Sequence, residues 1–139
     1  MEMMVKLTGA KRGIEVGILT GYSALCLASG LPEDGVLIAC DMEERYVNIG
    51  RPYWEEAGVT HKIDVRIGPV LDTLDRLSTQ PGSLDSFDFA HIDDDKTNYR
   101  NYVEVILPML KPNGFIIIDN TLWGNRVADP IACRLDTNT

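Results

Sequence analysis

The sequence has few of the residues that mark secreted or nucleic-acid-binding proteins. It holds three cysteines in 139 residues, Cys26, Cys40 and Cys133, and no pair of them has CxxC spacing. So few cysteines, odd in number, argue against a disulfide framework and are typical of a reducing compartment. Thirteen lysines and arginines face 21 aspartates and glutamates, which gives a formal net charge of −8. This charge argues against nucleic acid and against an anionic membrane surface as partners.

Long apolar segments are also missing. The first residues, MEMMVK, lack the apolar run of a signal peptide, and no stretch approaches the roughly 20 apolar residues that span a bilayer. We therefore expect a cytoplasmic protein. The sequence is 45% hydrophobic, which is enough for a core, and its length predicts one domain over residues 1–139.

Short apolar runs alternate with longer helical patterns along the chain. Strands are predicted at 13–17, 36–41, 62–67, 87–92 and 115–119. Helices are predicted at 22–30, 43–57, 70–77 and 98–110, and Pro52 is expected to kink or break the second. Strict alternation indicates parallel strands joined by right-handed crossovers. The predicted fold class is therefore α/β, a doubly wound and mostly parallel sheet with helices on both faces.

Acidic residues follow four of the five predicted strands. They lie in Glu15–Gly17, at Asp41, in Asp93–Asp95 and in Asp119–Asn120. In doubly wound sheets, ligands bind beyond the carboxyl ends of the strands. Turn-forming preference explains one or two such residues, but the whole set indicates a ligand site.

A glycine-containing turn, Gly17–Gly21, joins the first strand to the first helix. Its GxxxG spacing differs from the GxGxxG of dinucleotide sites that cradle a pyrophosphate. Asp41 lies where such folds place an acid on ribose hydroxyls, although it could instead cap the next helix. A nucleoside site without a pyrophosphate loop suits S-adenosylmethionine. Glu15 could hold the loop or meet the cofactor's ammonium, and Ser23 could meet its carboxylate or cap the helix.

A second group of oxygen donors, Asp93, Asp119 and Asn120, follows two strands that we expect to be neighbours. Two carboxylates and an amide suit a hard cation such as Mg²⁺, which would lower the pKa of a bound hydroxyl and orient it. Lys96 is either a general base beside this cation or an ordinary surface lysine. His91 is expected to pack among apolar side chains.

Three motifs resemble those of one known family. Residues 15–17 with 20–23, residues 92–96, and residues 118–123 are similar to the motifs of cation-dependent O-methyltransferases of the caffeoyl-CoA and catechol type. The resemblance extends from about Leu7 to Pro130. It implies a Rossmann-like methyltransferase core that moves a methyl group from S-adenosylmethionine to a hydroxyl of a small, catechol- or caffeoyl-like acceptor.

The resemblance also implies roles for individual residues. Lys96 would accept the hydroxyl proton, with Asp93 beside it. Metal ligands would be Asp93, Asp119 and Asn120. Cofactor contacts would come from Glu15, Gly17, Ile18, Ser23, Asp41, Val70 and Asp95.

The chain departs from the family pattern in three ways. Asp94 stands where a small alanine is usual, and His91 stands where an apolar residue is usual. The chain is also shorter than the family at both ends, so we expect an open acceptor pocket and self-association through the fifth strand. An alternative is therefore a truncated or degenerate core that binds cofactor without catalysis.

Two other classes also have acidic residues at the rim of such a sheet. A nicotinamide-dependent oxidoreductase would explain Asp41 but would leave Asp119 and Asn120 without a role, and the third glycine is missing. A phosphoacceptor receiver domain would need paired acids after the first strand, where Glu15 stands alone.

Overall fold

The computed structural model describes residues 1–122. They contain a five-stranded parallel sheet with the order β3-β2-β1-β4-β5. The strands are β1 (Arg12–Val16), β2 (Val36–Asp41), β3 (Ile63–Ile67), β4 (Phe87–Ile92) and β5 (Leu110–Ile118). The order reverses between β1 and β4, which pair directly. The predicted doubly wound α/β class is confirmed, and β4 and β5 are neighbours as expected.

Helices connect the strands on both faces of the sheet. They are α1 (Glu2–Thr8), α2 (Tyr22–Gly30), α3 (Glu44–Glu56), α4 (Val70–Ser78) and α5 (Tyr99–Ile106), with 3₁₀ turns at Thr60–Lys62, Lys96–Asn98 and Leu107–Met109. Within residues 1–122, none of the helices has both the length and the apolar character needed to span a membrane.

Each face of the sheet has its own apolar cluster. One joins β1 and β4 to α4 and α5 through residues such as Leu74 and Ile106. The other joins the sheet to α1, α2 and α3 through residues such as Leu27 and Trp54. Because both faces are covered, the carboxyl edge of the sheet is where a ligand can approach.

Phe87 and Phe89 belong to different clusters. Phe87 packs with Ala90 and Ile92, whereas Phe89 packs with α2 and α3 and stacks on Phe115 at a centroid distance of 5.6 Å. The cause is an irregular register between Phe87 and Phe89 in the β4–β5 pairing. Regular strand alternation predicts that Phe87, Phe89 and His91 share one face of the sheet, and this prediction is wrong for Phe87.

The turn signals before the fifth strand were misleading. The fifth strand was predicted to start at residue 115, because the sequence Lys-Pro-Asn-Gly at 111–114 is typical of a turn, yet β5 starts at Leu110, opposite Phe87. Within the described residues β5 pairs on one side only, and an edge strand tolerates a proline that cannot donate a hydrogen bond. The preceding helix accordingly ends at Ile106 rather than Leu110.

Pro52 does not interrupt its helix. Helix α3 runs continuously from Glu44 to Glu56, so the predicted break is wrong. Both Pro52 and Asn48, whose carbonyl loses its helical partner, are exposed. Water can satisfy that carbonyl, which lowers the cost of the proline.

Candidate functional site

An open cleft of about 920 Å³ lies at the carboxyl edge of the sheet, around the ends of β1, β2, β4 and β5. It brings together most of the residues that the sequence predicted. Those that line it are Gly17, Ile18, Ser23, Asp41, Asp93, Asp95, Asp119 and Asn120. Lys96 lies beside Asp93, whereas Glu15 and Val70 are 0% and 3% exposed and do not contribute to the lining.

The glycines of the β1–α2 turn are required by close packing. Gly17 has a φ of +89°, and a Cβ added there would lie 2.1 Å from the main-chain oxygen of Asp93. A Cβ at Gly21 would lie 2.6 Å from the Trp54 ring, whose Nε1 donates to the Gly21 carbonyl at 2.9 Å. The turn is thus clamped between the end of β4 and helix α3.

The Asp41 carboxylate accepts three backbone hydrogen bonds. Its Oδ2 accepts from the N–H groups of Ile18 and Leu19, both at 2.8 Å, and its Oδ1 accepts from Glu43 at 2.8 Å. Asp41 therefore holds the glycine turn against the start of α3, a role that sequence reasoning missed. Oδ1 has one partner and can accept further hydrogen bonds from a ligand.

Ser23 does not cap helix α2. The cap position is Gly21, and no side chain bonds to the first turn. Ser23 is half-buried and faces the cleft, so its hydroxyl remains available to a ligand.

The second and third aspartates after β4 have separate partners. The Tyr102 hydroxyl lies 3.2 Å from Asp94 Oδ2 and 3.4 Å from Asp95 Oδ1. Burial and the neighbouring charge of Asp95 raise the pKa of Asp94. Burial and the same two carboxylates raise the pKa of Tyr102. Asp95 also accepts from the backbone N–H of Asn98 at 3.1 Å and so caps the following 3₁₀ turn.

Sequence reasoning missed Tyr102. Its signal is its position three residues after Tyr99, on the same side of the helix that follows the acidic segment. Its side chain is almost fully buried in the cluster on that face of the sheet.

Lys96 lies among the predicted metal ligands. Its Nζ is 3.3 Å from Asp93 Oδ1, 3.4 Å from Asn120 Oδ1 and 2.6 Å from the Tyr99 hydroxyl. Burial lowers the pKa of Lys96, but the hydrogen bonds with Tyr99 and Asp93 outweigh it, so the net pKa is raised. Lys96 is therefore an ammonium in this arrangement. Asp119 Oδ1 accepts from the backbone and side-chain amides of Asn120 at 2.6 and 3.1 Å.

The predicted metal ligands, Asp93, Asp119 and Asn120, have the oxygen chemistry that suits a hard cation. Residues 1–122 contain no group of three or more His, Cys, Asp or Glu placed to bind a metal. The predicted set, however, contains two carboxylates and one amide oxygen. Two of its members, Asp93 and Asn120, already turn their oxygens toward one positive charge, the Lys96 ammonium. Oxygen donors of this kind are the ligands that Mg²⁺ prefers.

Cys40 is a thiol of the core. It is fully buried, and burial raises its pKa to about 12. Cys26 is also free. Cys133 and Trp123, the last residue of the third motif, lie outside the described residues.

The O-methyltransferase family model matches residues 1–137 of the chain. Tricin synthase 1 from Oryza sativa subsp. japonica is 48% identical in an alignment of 131 residues that covers 92% of this chain and 52% of that protein. Caffeoyl-CoA O-methyltransferase 2 from Zea mays is 47% identical over 94% of this chain and 49% of its own. The chain thus spans about half the length of these curated relatives.

Solved structures with the same fold include ligand complexes. The O-methyltransferase TomG from Streptomyces achromogenes, in complex with SAM, has a TM-score of 0.87 at 29% identity and covers 98% of this chain and 63% of its own. An O-methyltransferase from Bacillus cereus in complex with SAH has a TM-score of 0.85 at 34% identity, over 92% of this chain and 57% of its own. Motifs, fold and relatives agree, and the chain belongs to the O-methyltransferase family.

Proposed function

We propose that the cleft binds S-adenosylmethionine and that the protein transfers its methyl group to a hydroxyl of a small catechol- or caffeoyl-like acceptor, with the help of a divalent cation. One observation carries the proposal. The glycine turn, Asp41 and the acidic ends of β4 and β5 converge on one cleft in a chain of the O-methyltransferase family. Relatives named caffeoyl-CoA O-methyltransferase support the acceptor class.

The cofactor half of the cleft would be formed by β1, β2 and the start of α2. Asp41 would accept from the ribose hydroxyls while it holds the backbone of Ile18 and Leu19. Ser23 and the free N–H groups at the start of α2 would donate to the cofactor's carboxylate. Asp95 would lie on the adenosine side. The solved complexes of TomG with SAM and of the Bacillus cereus enzyme with SAH support the choice of cofactor.

The acceptor half would be formed by Asp93, Asp119, Asn120 and Lys96. The three oxygen ligands would hold the cation, and Lys96 would accept the proton that the acceptor hydroxyl loses. Bound there, a divalent cation would supply positive charge that lowers the pKa of the hydroxyl and of Lys96 alike. Methyl transfer is an in-line displacement, so holding the acceptor oxygen in position is the main task of these residues.

Binding is tested first by calorimetry of the whole chain with S-adenosylhomocysteine and with NAD. We expect one site for S-adenosylhomocysteine and none for NAD. Binding of NAD alone would contradict the proposal and favour the oxidoreductase class.

Turnover is tested with labelled S-adenosylmethionine and catechol or caffeoyl-CoA, with Mg²⁺ or with excess chelator. We expect transfer that chelator abolishes and Mg²⁺ restores. Asp119→Ala should lose it, whereas Asp75→Ala, which removes an exposed carboxylate on α4, should not. Activity in excess chelator would remove the cation from the mechanism. Cofactor binding without turnover on either acceptor would favour the binding-only alternative.

A further inference from the structure

The described part of the chain leaves three buried side-chain polar atoms without a hydrogen-bond partner, and all three belong to one pair of residues. They are both carboxylate oxygens of Glu15 and Nδ1 of His91. Other buried polar side-chain atoms in the described residues have hydrogen-bond partners. The buried Lys62, for example, donates from Nζ to the Leu31 carbonyl at 3.0 Å. The exception is therefore local, and it lies at the switch point of the sheet.

Glu15 and His91 are direct neighbours on paired strands. Parallel register places Glu15 of β1 opposite His91 of β4, and Glu15 Oε1 lies 3.5 Å from His91 Nδ1. Their side chains are 0% and 2% exposed. A buried carboxylate without a donor is strongly unfavourable. Among residues 1–122, His91 Nδ1 is the group placed to relieve it.

We propose that His91 is a positioning residue for Glu15. Its Nδ1 carries a hydrogen and donates a hydrogen bond to the Glu15 carboxylate, which fixes that side chain behind the cofactor end of the cleft. The proton stays on the imidazole ring, and no covalent bond changes. An imidazole with a proton on Nδ1 serves whether the ring is neutral or charged.

The pair also joins the two strands that frame the cleft. Glu15 stands two residues before Gly17, and His91 stands two residues before Asp93. The Asp93 N–H donates to the Val16 carbonyl at 2.9 Å, so the strand ends are already tied by backbone. His91 lines the cleft and Glu15 does not. Their side-chain bond therefore sets the wall against which the cofactor rests.

An apolar side chain at position 91 would leave the Glu15 carboxylate buried and without a donor. Glu15 would then turn away or draw water into the wall of the cleft. Either change disturbs the residues next to the glycine turn, so cofactor affinity falls. This consequence for affinity rests on the proposed function, whereas the hydrogen bond itself does not.

Nuclear magnetic resonance of ring-labelled histidine tests the bond directly. The chain has two histidines, and His61 is half-exposed and faces Glu33 on the surface. His61→Gln leaves His91 as the only signal. We expect a proton on His91 Nδ1, with a signal that moves on Glu15→Gln. A ring protonated on Nε2 alone, or no response to Glu15→Gln, would overturn the proposal.

Binding of S-adenosylhomocysteine tests the consequence. We expect His91→Leu to weaken binding about tenfold or more, while His91→Gln, which keeps a donor, stays within about threefold. A role in packing alone would not separate the two variants in this way. Equal binding by His91→Leu and the wild type would overturn the positioning role.

The resonance and binding experiments distinguish failure of the proposed function from failure of the bond between His91 and Glu15. If the unaltered chain binds no S-adenosylhomocysteine, the proposed function fails, and the resonance experiment still decides the bond between His91 and Glu15. If His91→Leu does not fold, that same experiment, on the His61→Gln chain with and without Glu15→Gln, decides it.

Discussion

Asp88 and Asp94 stand at opposite ends of strand β4 and meet opposite surroundings. At the amino end, Asp88 Oδ2 accepts from the N–H groups of Lys11 and Arg12, both at 2.9 Å, and Oδ1 accepts from Lys111 Nζ at 2.6 Å. At the carboxyl end, Asp94 adjoins two more aspartates. At the amino end the charge of Asp88 is fully partnered. At the carboxyl end three consecutive aspartates share one neighbouring lysine, Lys96, which leaves an excess of negative charge there.

The pKa values express the same contrast. Burial raises the pKa of Asp88, but the bonds from Lys111 and the two backbone groups outweigh it, so the net pKa is lowered. Burial and Asp95 raise the pKa of Asp94. The proposed site for a cationic ligand thus lies where the fold tolerates unfavourable charge.

The largest effect is expected at the glycine turn of the carboxyl edge. Gly17→Ala combines a φ of +89° with a clash against the main-chain oxygen of Asp93. Because neither atom belongs to a flexible side chain, we expect a loss of about 4 kcal/mol in the free energy of unfolding. Urea titration measures it. Gly58→Ala, with a φ of +69° and no atom within 4 Å, is the control and should cost about 1 kcal/mol. Equal costs would show that the turn can move away from β4.

Asp41→Ala should have the next largest effect. Three backbone donors lose a charged acceptor, at about 1 kcal/mol each, so the free energy of unfolding should fall by about 3 kcal/mol. Binding of S-adenosylhomocysteine should weaken as well. Asp34→Ala, which removes an exposed carboxylate paired with Lys11, should leave the free energy of unfolding unchanged, because solvent screens such surface pairs. Weaker binding with unchanged stability would mean that Asp41 serves the ligand rather than the turn.

Asp88→Ala tests the comparison at the amino end of β4. We expect a loss of about 2 kcal/mol in the free energy of unfolding at neutral pH, and unchanged binding of S-adenosylhomocysteine. Because the folded-state pKa of Asp88 lies below its ordinary 3.8, its contribution is present above that value and is lost as pH falls through the lower folded-state pKa. Unfolding curves of both proteins should therefore converge in acid. A difference that persists there would assign the effect to packing.

Asp94→Asn should have the smallest effect and the opposite sign. Its charge is unfavourable in the fold, and the amide oxygen still accepts from Tyr102. We expect the free energy of unfolding at neutral pH to be unchanged or to rise by up to about 0.5 kcal/mol. Mg²⁺-dependent turnover should be retained, because Asp94 is not among the proposed ligands. A clear loss of turnover would make Asp94 a ligand.

The fold was largely predictable where an apolar run is flanked by residues that end helices or strands. Helix Tyr22–Gly30 and strands Val36–Asp41 and Phe87–Ile92 have the predicted bounds, because glycine, proline or charged residues flank each apolar run. The prediction for Leu110–Gly114 was wrong, because an edge strand accepts turn-forming residues. Whether a strand lies at the edge of a sheet cannot be read from its local sequence. Helix Glu2–Thr8 was not predicted, as its single buried residue, Val5, gives no periodic signal.

The candidate site was predictable as a set of residues and only partly as a set of contacts. Strand ends and loop spacing locate Asp41 and Asp93 at one edge. They do not reveal that Asp41 already bonds to the turn, that Tyr102 faces Asp94, or that Glu15 is sealed behind His91. Such facts depend on rotamers and on which strand lies beside which, and these are fixed by packing across the sheet.

The contact between Gly17 and the main-chain oxygen of Asp93 limits how the cleft can diversify by mutation. Backbone rather than side chain fills that space, so substitution there cannot reshape the wall without moving two strands. On this side of the cleft, which the proposed function gives to the cofactor, variation is then left to the exposed side chains of the rim, namely Leu19, Tyr22, Met42 and Tyr46. A directed-evolution library confined to those four positions would change the rim of the proposed cofactor site while the glycine turn stays in place.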